Sequence, residues 1–188
     1  MIIYLIRHGE TTGDIEDRYG GDYDDHLSDK GKQQAEQLAK KLKGKGIQII
    51  YYSSRMRATE TVQIVNEVLH VKLEAVDDLR ERNNYGILTG MTKRDAKQKY
   101  PDEVEELSEG ICHNVKGSED YDSFRKRVIR GFEKIIQNNE YSTCAIISHS
   151  GPIRCIFREI LRLEEPDHIE DCEIIGLEKK NSKISLLV

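Results

Sequence analysis

Three short runs of residues combine basic side chains with glycine or serine directly after a predicted buried strand. They are Arg7-His8-Gly9, Ser53-Ser54-Arg55-Met56-Arg57 and His149-Ser150-Gly151. The planar guanidinium of arginine matches two phosphate oxygens at once, and an imidazole can attack phosphorus as a nucleophile. Helix N-termini that follow such strands add amide donors for an anion. These residue types therefore predict a phosphate site in which His8 is the nucleophile.

The three runs can converge only if their strands end at one edge of a sheet. Apolar stretches predict strands at 1–6, 47–52, 71–76 and 143–148, and two more at 173–179 and 183–188 around a turn at 181–182. Apolar residues at helical spacing separate most of them. This alternation predicts an α/β fold: a three-layer sandwich with a mainly parallel sheet, helices on both faces and an antiparallel edge pair.

The periodic pattern weakens between about residues 78 and 118. This stretch contains Gly86, Gly90, Pro101 and the acidic run 102–106, which is typical of a solvated face. We expect a small insertion there that covers the active site and the substrate. With no repeat, linker or low-complexity tract elsewhere, residues 1–188 are predicted to form a single domain.

Composition restricts the kind of partner. The net charge of -5 disfavours nucleic acid and membrane surfaces, so an anionic substrate needs a local cluster of cations. No apolar run approaches the roughly 18 residues of a membrane span, and residues 1–6 are too short for a signal peptide. The cysteines, which lack CxxC spacing, are expected to be reduced in a cytoplasmic protein; they are Cys112, Cys144, Cys155 and Cys172.

Four motifs follow one another along the chain. They are Arg7-His8-Gly9-Glu10-Thr11, Ser53 with Arg57-Ala58 and Thr61, Leu79-Arg80-Glu81, and Ser148-His149. In this order they resemble the histidine phosphatase superfamily, the phosphoglycerate-mutase-like enzymes. The resemblance extends from residue 1 to about residue 160.

The resemblance implies a mechanism without metal or cofactor. Neutral His8 forms a phosphohistidine, and Glu81 protonates the leaving alkoxide and later activates water. Arg7, Arg57 and a protonated His149 neutralise the transferring phosphoryl group. The substrate-binding residues expected with this catalytic set are Gly9, Thr11, Asp14, Arg18, Gly20, Gly21, Tyr85, Lys93 and Ser150. For Arg18 a phosphate contact and a loop salt bridge are both compatible with the sequence.

The chain departs from the family pattern at three places. Asp14 stands where the family often has a phosphate-binding asparagine, so its carboxylate either turns away or meets a cationic part of the substrate. The spacing from Glu81 to Gly86 is one residue longer than usual, which affects the direction of Tyr85. Gly20 replaces a common glutamine.

Within the family, we expect a phosphomonoester phosphatase that acts on a small phosphorylated metabolite, as a monomer or homodimer. A cofactor-dependent phosphoglycerate mutase is the alternative, but residues 86–117 contain no Arg-Arg pair to bind the substrate carboxylate. A catalytically inactive phospho-binding module, which would have lost His8 or Glu81, is a weaker alternative. A cysteine phosphatase is excluded because no cysteine begins a Cys-x5-Arg motif.

Overall fold

A six-stranded mixed sheet forms the centre of the molecule. The computed structural model describes residues 1–108, 115–138, 140–181 and 183–187. The strands are β1 (Ile2–Arg7), β2 (Ile49–Tyr52), β3 (Lys72–Ala75), β4 (Thr143–Ser148), β5 (Ile174–Lys180) and β6 (Lys183–Leu186). Their order is β3-β2-β4-β1-β5-β6. The first four are parallel, and β5 and β6 form an antiparallel pair at one edge, which confirms the predicted α/β architecture.

Helices cover both faces of this sheet. The α-helices of the described ranges are α1 (Thr12–Ile15), α2 (Asp29–Leu42), α3 (Met56–Leu69), α4 (Lys93–Lys99), α5 (Pro101–Ser108), α6 (Tyr121–Gln137) and α7 (Ser150–Ile156), of which α2, α3, α6 and α7 lie on the sheet. Apolar residues of α2 and α3 pack with one set of strand side chains, and those of α6 and α7 pack with the other set. Alternate residues of a strand point to opposite faces, so β1, β2 and β4 supply both cores. The predicted three layers are confirmed.

The helix boundaries follow from side-chain caps. Ser28 accepts a hydrogen bond from the amide of Gly31 at the start of α2, and Asp120 does the same for Ser123 at the start of α6. After α7 the chain continues as a π-helical turn, Phe157–Leu161, which the apolar spacing did not predict. None of the helices in the described ranges is long and apolar enough to cross a membrane.

The segment 78–118 contains short helical pieces packed on a small apolar cluster. The turns Asp77–Leu79 and Gly86–Leu88 precede α4 and α5, and Leu88, Ala96 and Val115 are buried together with Tyr19. The acidic run lies on α5, a helix with no buried residue, as expected for a solvated face. Three predictions concern residues outside the described ranges. They are a reduced thiol at Cys112, a turn that includes Ser182 and a strand that ends at Val188.

Candidate active site

His8 follows β1 at the carboxyl edge of the sheet and is 6% exposed. Its Nδ1 lies 2.8 Å from the carbonyl oxygen of Gly9, so Nδ1–H donates and Nε2 keeps a lone pair. Arg57 Nε lies 3.1 Å from that Nε2. Burial, and then the charges of Arg57 and Arg7, hold the pKa of His8 well below its ordinary value. His8 is therefore a neutral imidazole, and its Nε2, whose lone pair accepts the hydrogen bond of Arg57, is the nitrogen that can act as a nucleophile.

His149 follows β4 and lies beside His8, with ring centroids 5.0 Å apart. Its Nδ1 accepts a hydrogen bond from Arg57 Nε at 3.1 Å, and its Nε2 lies 2.7 Å from Ser53 Oγ. Burial lowers the pKa of His149, and the charge of Arg57 lowers it further. The predicted protonated His149 is wrong, because an Nδ1 that accepts the arginine N–H carries no proton of its own.

Arg57 is buried and is held by the loop before α2. Its guanidinium donates to the carbonyl oxygens of Tyr23 and Gly21 at 2.8 and 3.0 Å, and it pairs with Asp25 Oδ1 at 2.8 Å. Asp25 is 8% exposed. These bonds orient the arginine so that its Nε bridges the two histidines. Sequence reasoning missed Asp25, which is one of several aspartates in a loop without periodicity.

Glu81 lines the same cavity as His8 and contacts the start of α7. Its carboxylate accepts hydrogen bonds from the amides of Arg82 at 2.8 Å and Gly151 at 3.2 Å. Arg127 fixes the backbone of Glu81, because its guanidinium donates to the Glu81 carbonyl at 2.9 Å. The same guanidinium pairs with Glu119 at 2.7 Å. A carboxylate is thus held at the rim of the histidine site.

A cavity of about 210 Å³ opens in front of His8. Among the predicted site residues, those that line it are Arg7, His8, Thr11, Asp14, Arg18, Gly20, Gly21, Arg57, Glu81, Tyr85 and Ser150. His149 is fully buried behind them. The structure does not bring Gly9 or Lys93 to the cavity. The Gly9 amide donates to Thr61 Oγ1 at 3.3 Å and its carbonyl accepts from His8, while Lys93 Nζ pairs with Asp17. Arg82 and Asn84, which the sequence did not single out, also line it.

Asp14 and Arg18 have their own local partners at the cavity wall. Asp14 Oδ2 accepts from the amide of Thr11 at 2.9 Å and from its hydroxyl at 2.8 Å, forming a capping box at the start of α1. The carboxylate is therefore turned toward Thr11. Arg18 pairs with Glu16 and donates to the carbonyl of Gly90, so of its two alternatives the loop salt bridge is present.

Within the described ranges, no group of three or more His, Cys, Asp or Glu side chains could hold a metal ion. The positive charge at the cavity comes from arginine side chains. A phosphoryl group bound beside His8 would lie among the arginines that line the cavity, with the neutral imidazole of His8 and the Glu81 carboxylate also in its wall.

Known proteins with similar sequences include a phosphatase and a mutase-like protein. Phosphoserine phosphatase 1 of Hydrogenobacter thermophilus is 28% identical over 164 residues, which cover 86% of this chain and 77% of that protein. Phosphoglycerate mutase-like protein 4 of Arabidopsis thaliana is 31% identical over 160 residues, covering 82% and 69% respectively. The fold matches the crystal structure of the alpha-ribazole phosphatase from Shigella flexneri with a TM-score of 0.87 and 21% identity, over 100% of this chain and 95% of that chain.

The family model of the histidine phosphatase superfamily, branch 1, matches residues 3–187. This match includes His8, Glu81, His149 and the edge strands, and so extends beyond the motifs that carried the sequence resemblance. The chain belongs to the histidine phosphatase superfamily.

Proposed function

We propose that this protein is a phosphomonoester phosphatase that acts through a phosphohistidine on His8. The observation that carries the proposal is the 2.8 Å contact between His8 Nδ1 and the Gly9 carbonyl, which leaves Nε2 as the nucleophile beside Arg57. The phosphatases among the relatives support the same reaction class. The lining residues Arg82, Asn84 and Tyr85 support a substrate-covering role for the segment 78–118 within a single domain.

The reaction divides into two displacements. In the first, the Nε2 lone pair of His8 forms a bond to phosphorus, the bond from phosphorus to the ester oxygen breaks, and Glu81 gives its proton to the alkoxide. In the second, Glu81 takes a proton from water, the oxygen attacks phosphorus, and the bond to Nε2 breaks. Arg7 and Arg57 stabilise the charge on the equatorial oxygens in both steps.

The alcohol part of the substrate would leave on the side of Glu81, where a second cavity of about 200 Å³ adjoins the first. Arg82 and Asn84 line both cavities, and Arg154 lines the second. Among the described residues, Arg82 and Arg154 are the arginines without a carboxylate within ion-pair distance. Because unpaired guanidinium groups attract anions, we propose that the substrate carries a second anionic group, a carboxylate or a second phosphate.

The chemistry is tested with His8→Asn and p-nitrophenyl phosphate. We expect turnover to fall by at least about a thousandfold, and the wild-type protein to give an acid-labile phosphoenzyme that the variant lacks. His168→Asn is the matched control, since His168 is exposed at the surface. Turnover by His8→Asn within about tenfold of the wild type would refute the nucleophile.

The substrate class is tested with 3-phosphoglycerate and glycerol 3-phosphate, which differ in one carboxylate, and with a matched sugar bisphosphate and monophosphate. We expect Arg154→Gln to reduce the preference in kcat/KM for the doubly anionic substrate by about tenfold, while Arg94→Gln, at a residue 89% exposed, keeps it. Equal effects on both members of a pair would contradict the second anionic subsite. Formation of 2-phosphoglycerate from 3-phosphoglycerate would instead identify a mutase.

A further inference from the structure

The loop before β5 contacts both residues of the Arg7-His8 dipeptide. The carbonyl oxygen of Ile169 accepts a hydrogen bond from Arg7 Nη1 at 2.7 Å. Asp171 Oδ1 lies 3.1 Å from Arg7 Nη2. The amide of Cys172 donates to the carbonyls of Arg7 and His8 at 3.1 and 3.3 Å. The loop thus holds the catalytic dipeptide by main chain and side chain.

Arg7 has one donor that this arrangement does not use. Its Nε is buried and has no acceptor among the described residues, although Arg7 lines the cavity in front of His8. That atom is closed off from the cavity, so a bound phosphoryl group is reached by the guanidinium's Nη groups. Each Nη nitrogen carries two N–H groups, and the contacts with Ile169 and Asp171 leave N–H donors of Arg7 for a phosphoryl oxygen.

Asp171 is also tied to the loop that carries the nucleophile. Its Oδ2 lies 3.5 Å from Gln34 Nε2, and Gln34 Oε1 accepts from the amide of Glu10 at 2.8 Å. Burial raises the pKa of Asp171, the charge of Arg7 lowers it, and Asp14 and Glu10 raise it further. No other cation than Arg7 forms an ion pair with this carboxylate in the described part of the chain.

We propose that Asp171 is a positioning residue for Arg7: together with the Ile169 carbonyl it fixes the guanidinium at the wall of the phosphoryl cavity. Asp171 is absent from the residues that line the cavity, so it acts through Arg7 and does not touch the substrate. A guanidinium without this anchor would have to lose rotamer freedom each time phosphate binds, which weakens binding. The inference rests on the proposed phosphate site.

The test measures the binding of inorganic phosphate by calorimetry, which requires no turnover. We expect Asp171→Ala to raise the Kd for phosphate by about tenfold or more. Asp171→Asn keeps the size of the side chain but removes the charge that pairs with Nη2, so it should also raise the Kd, by at least about threefold. Glu170→Gln removes the neighbouring carboxylate, which is exposed and pairs with His168, and is expected to leave the Kd unchanged.

An Arg7→Ala background separates positioning from a general structural role. There, Asp171→Ala should change the Kd by less than about twofold, because the residue it positions is gone. The proposal is overturned if Asp171→Ala weakens binding by less than about threefold in the wild-type background, or if it causes the same loss without Arg7. Melting curves confirm that each variant is folded. If the wild-type protein bound phosphate but hydrolysed no ester, the proposed function would fail while this inference stood.

Discussion

Gly151 and Glu81 approach so closely that a Cβ atom at Gly151 would lie 2.1 Å from Oε1 of Glu81. The amide of Gly151 donates to the other carboxylate oxygen at 3.2 Å. The first turn of α7 therefore determines where the candidate acid can lie. A side chain at residue 151 is incompatible with the observed carboxylate position, which makes this glycine part of the geometry of proton transfer.

Gly151→Ala is expected to displace Glu81 and to slow esters with poor leaving groups. Glycerol 3-phosphate, whose alkoxide needs a proton, should lose about a hundredfold in kcat, and p-nitrophenyl phosphate should lose much less. Steady-state kinetics with both substrates measures the difference. Equal losses would show that the glycine acts through something other than the acid.

Asp25→Asn is expected to destabilise the protein by about 3 kcal/mol, since it leaves the buried Arg57 charge without its counter-ion. Urea unfolding at neutral pH gives the free energy of unfolding. Asp24→Asn is the control in the same loop, because Asp24 is 56% exposed and its pair with Arg55 at 3.7 Å should contribute less than about 1 kcal/mol. Comparable losses in the two variants would contradict the importance of burial.

Gly31→Ala should reduce stability and activity together, although alanine normally stabilises a helix by about 1 kcal/mol relative to glycine. A Cβ at Gly31 would lie 2.0 Å from the carbonyl oxygen of Glu10, in the loop that follows β1 and contains His8. We expect a lower melting temperature and a higher KM for p-nitrophenyl phosphate. Lys32→Ala, at an exposed neighbouring position of α2, should show neither change, and a stabilised Gly31→Ala would refute the close packing.

The stability of the protein should decrease as the pH falls below about 6.5, the ordinary pKa of histidine. His8 and His149 are buried with lowered pKa values, so the unfolded chain binds protons there before the folded protein does. Each such histidine contributes a slope of up to about 1.4 kcal/mol per pH unit in this range.

His8→Asn should therefore remove about that much of the slope of the unfolding free energy between about pH 6 and pH 5. Urea titrations at several pH values measure the slope. His70→Asn is the control, because His70 is exposed and its left-handed backbone conformation suits asparagine. An unchanged slope in His8→Asn would mean that this imidazole is already protonated in the folded state.

Much of the scaffold was predictable because its signals are local. Strands β1 and β4 are apolar runs that end in polar residues, and α2 and α6 show apolar residues at helical spacing behind a capping side chain. Parallel pairing of β1, β4 and β2 then brings His8, His149 and Arg57 to one edge. The amino-acid sequence by itself therefore determined the fold class, and it predicted His8 as the candidate nucleophile with the cations beside it.

Only the tertiary structure decided how these groups are held. The anchors of Arg7 and Arg57, which are Asp171 and Asp25, come from irregular loops, and Arg7 and Asp171 are far apart in the chain. The neutral state of His149 and the turn of Asp14 toward Thr11 likewise depend on neighbours and burial. Such contacts follow no period of 2 or 3.6 residues, and their energies depend on desolvation, which exists only once the chain has folded.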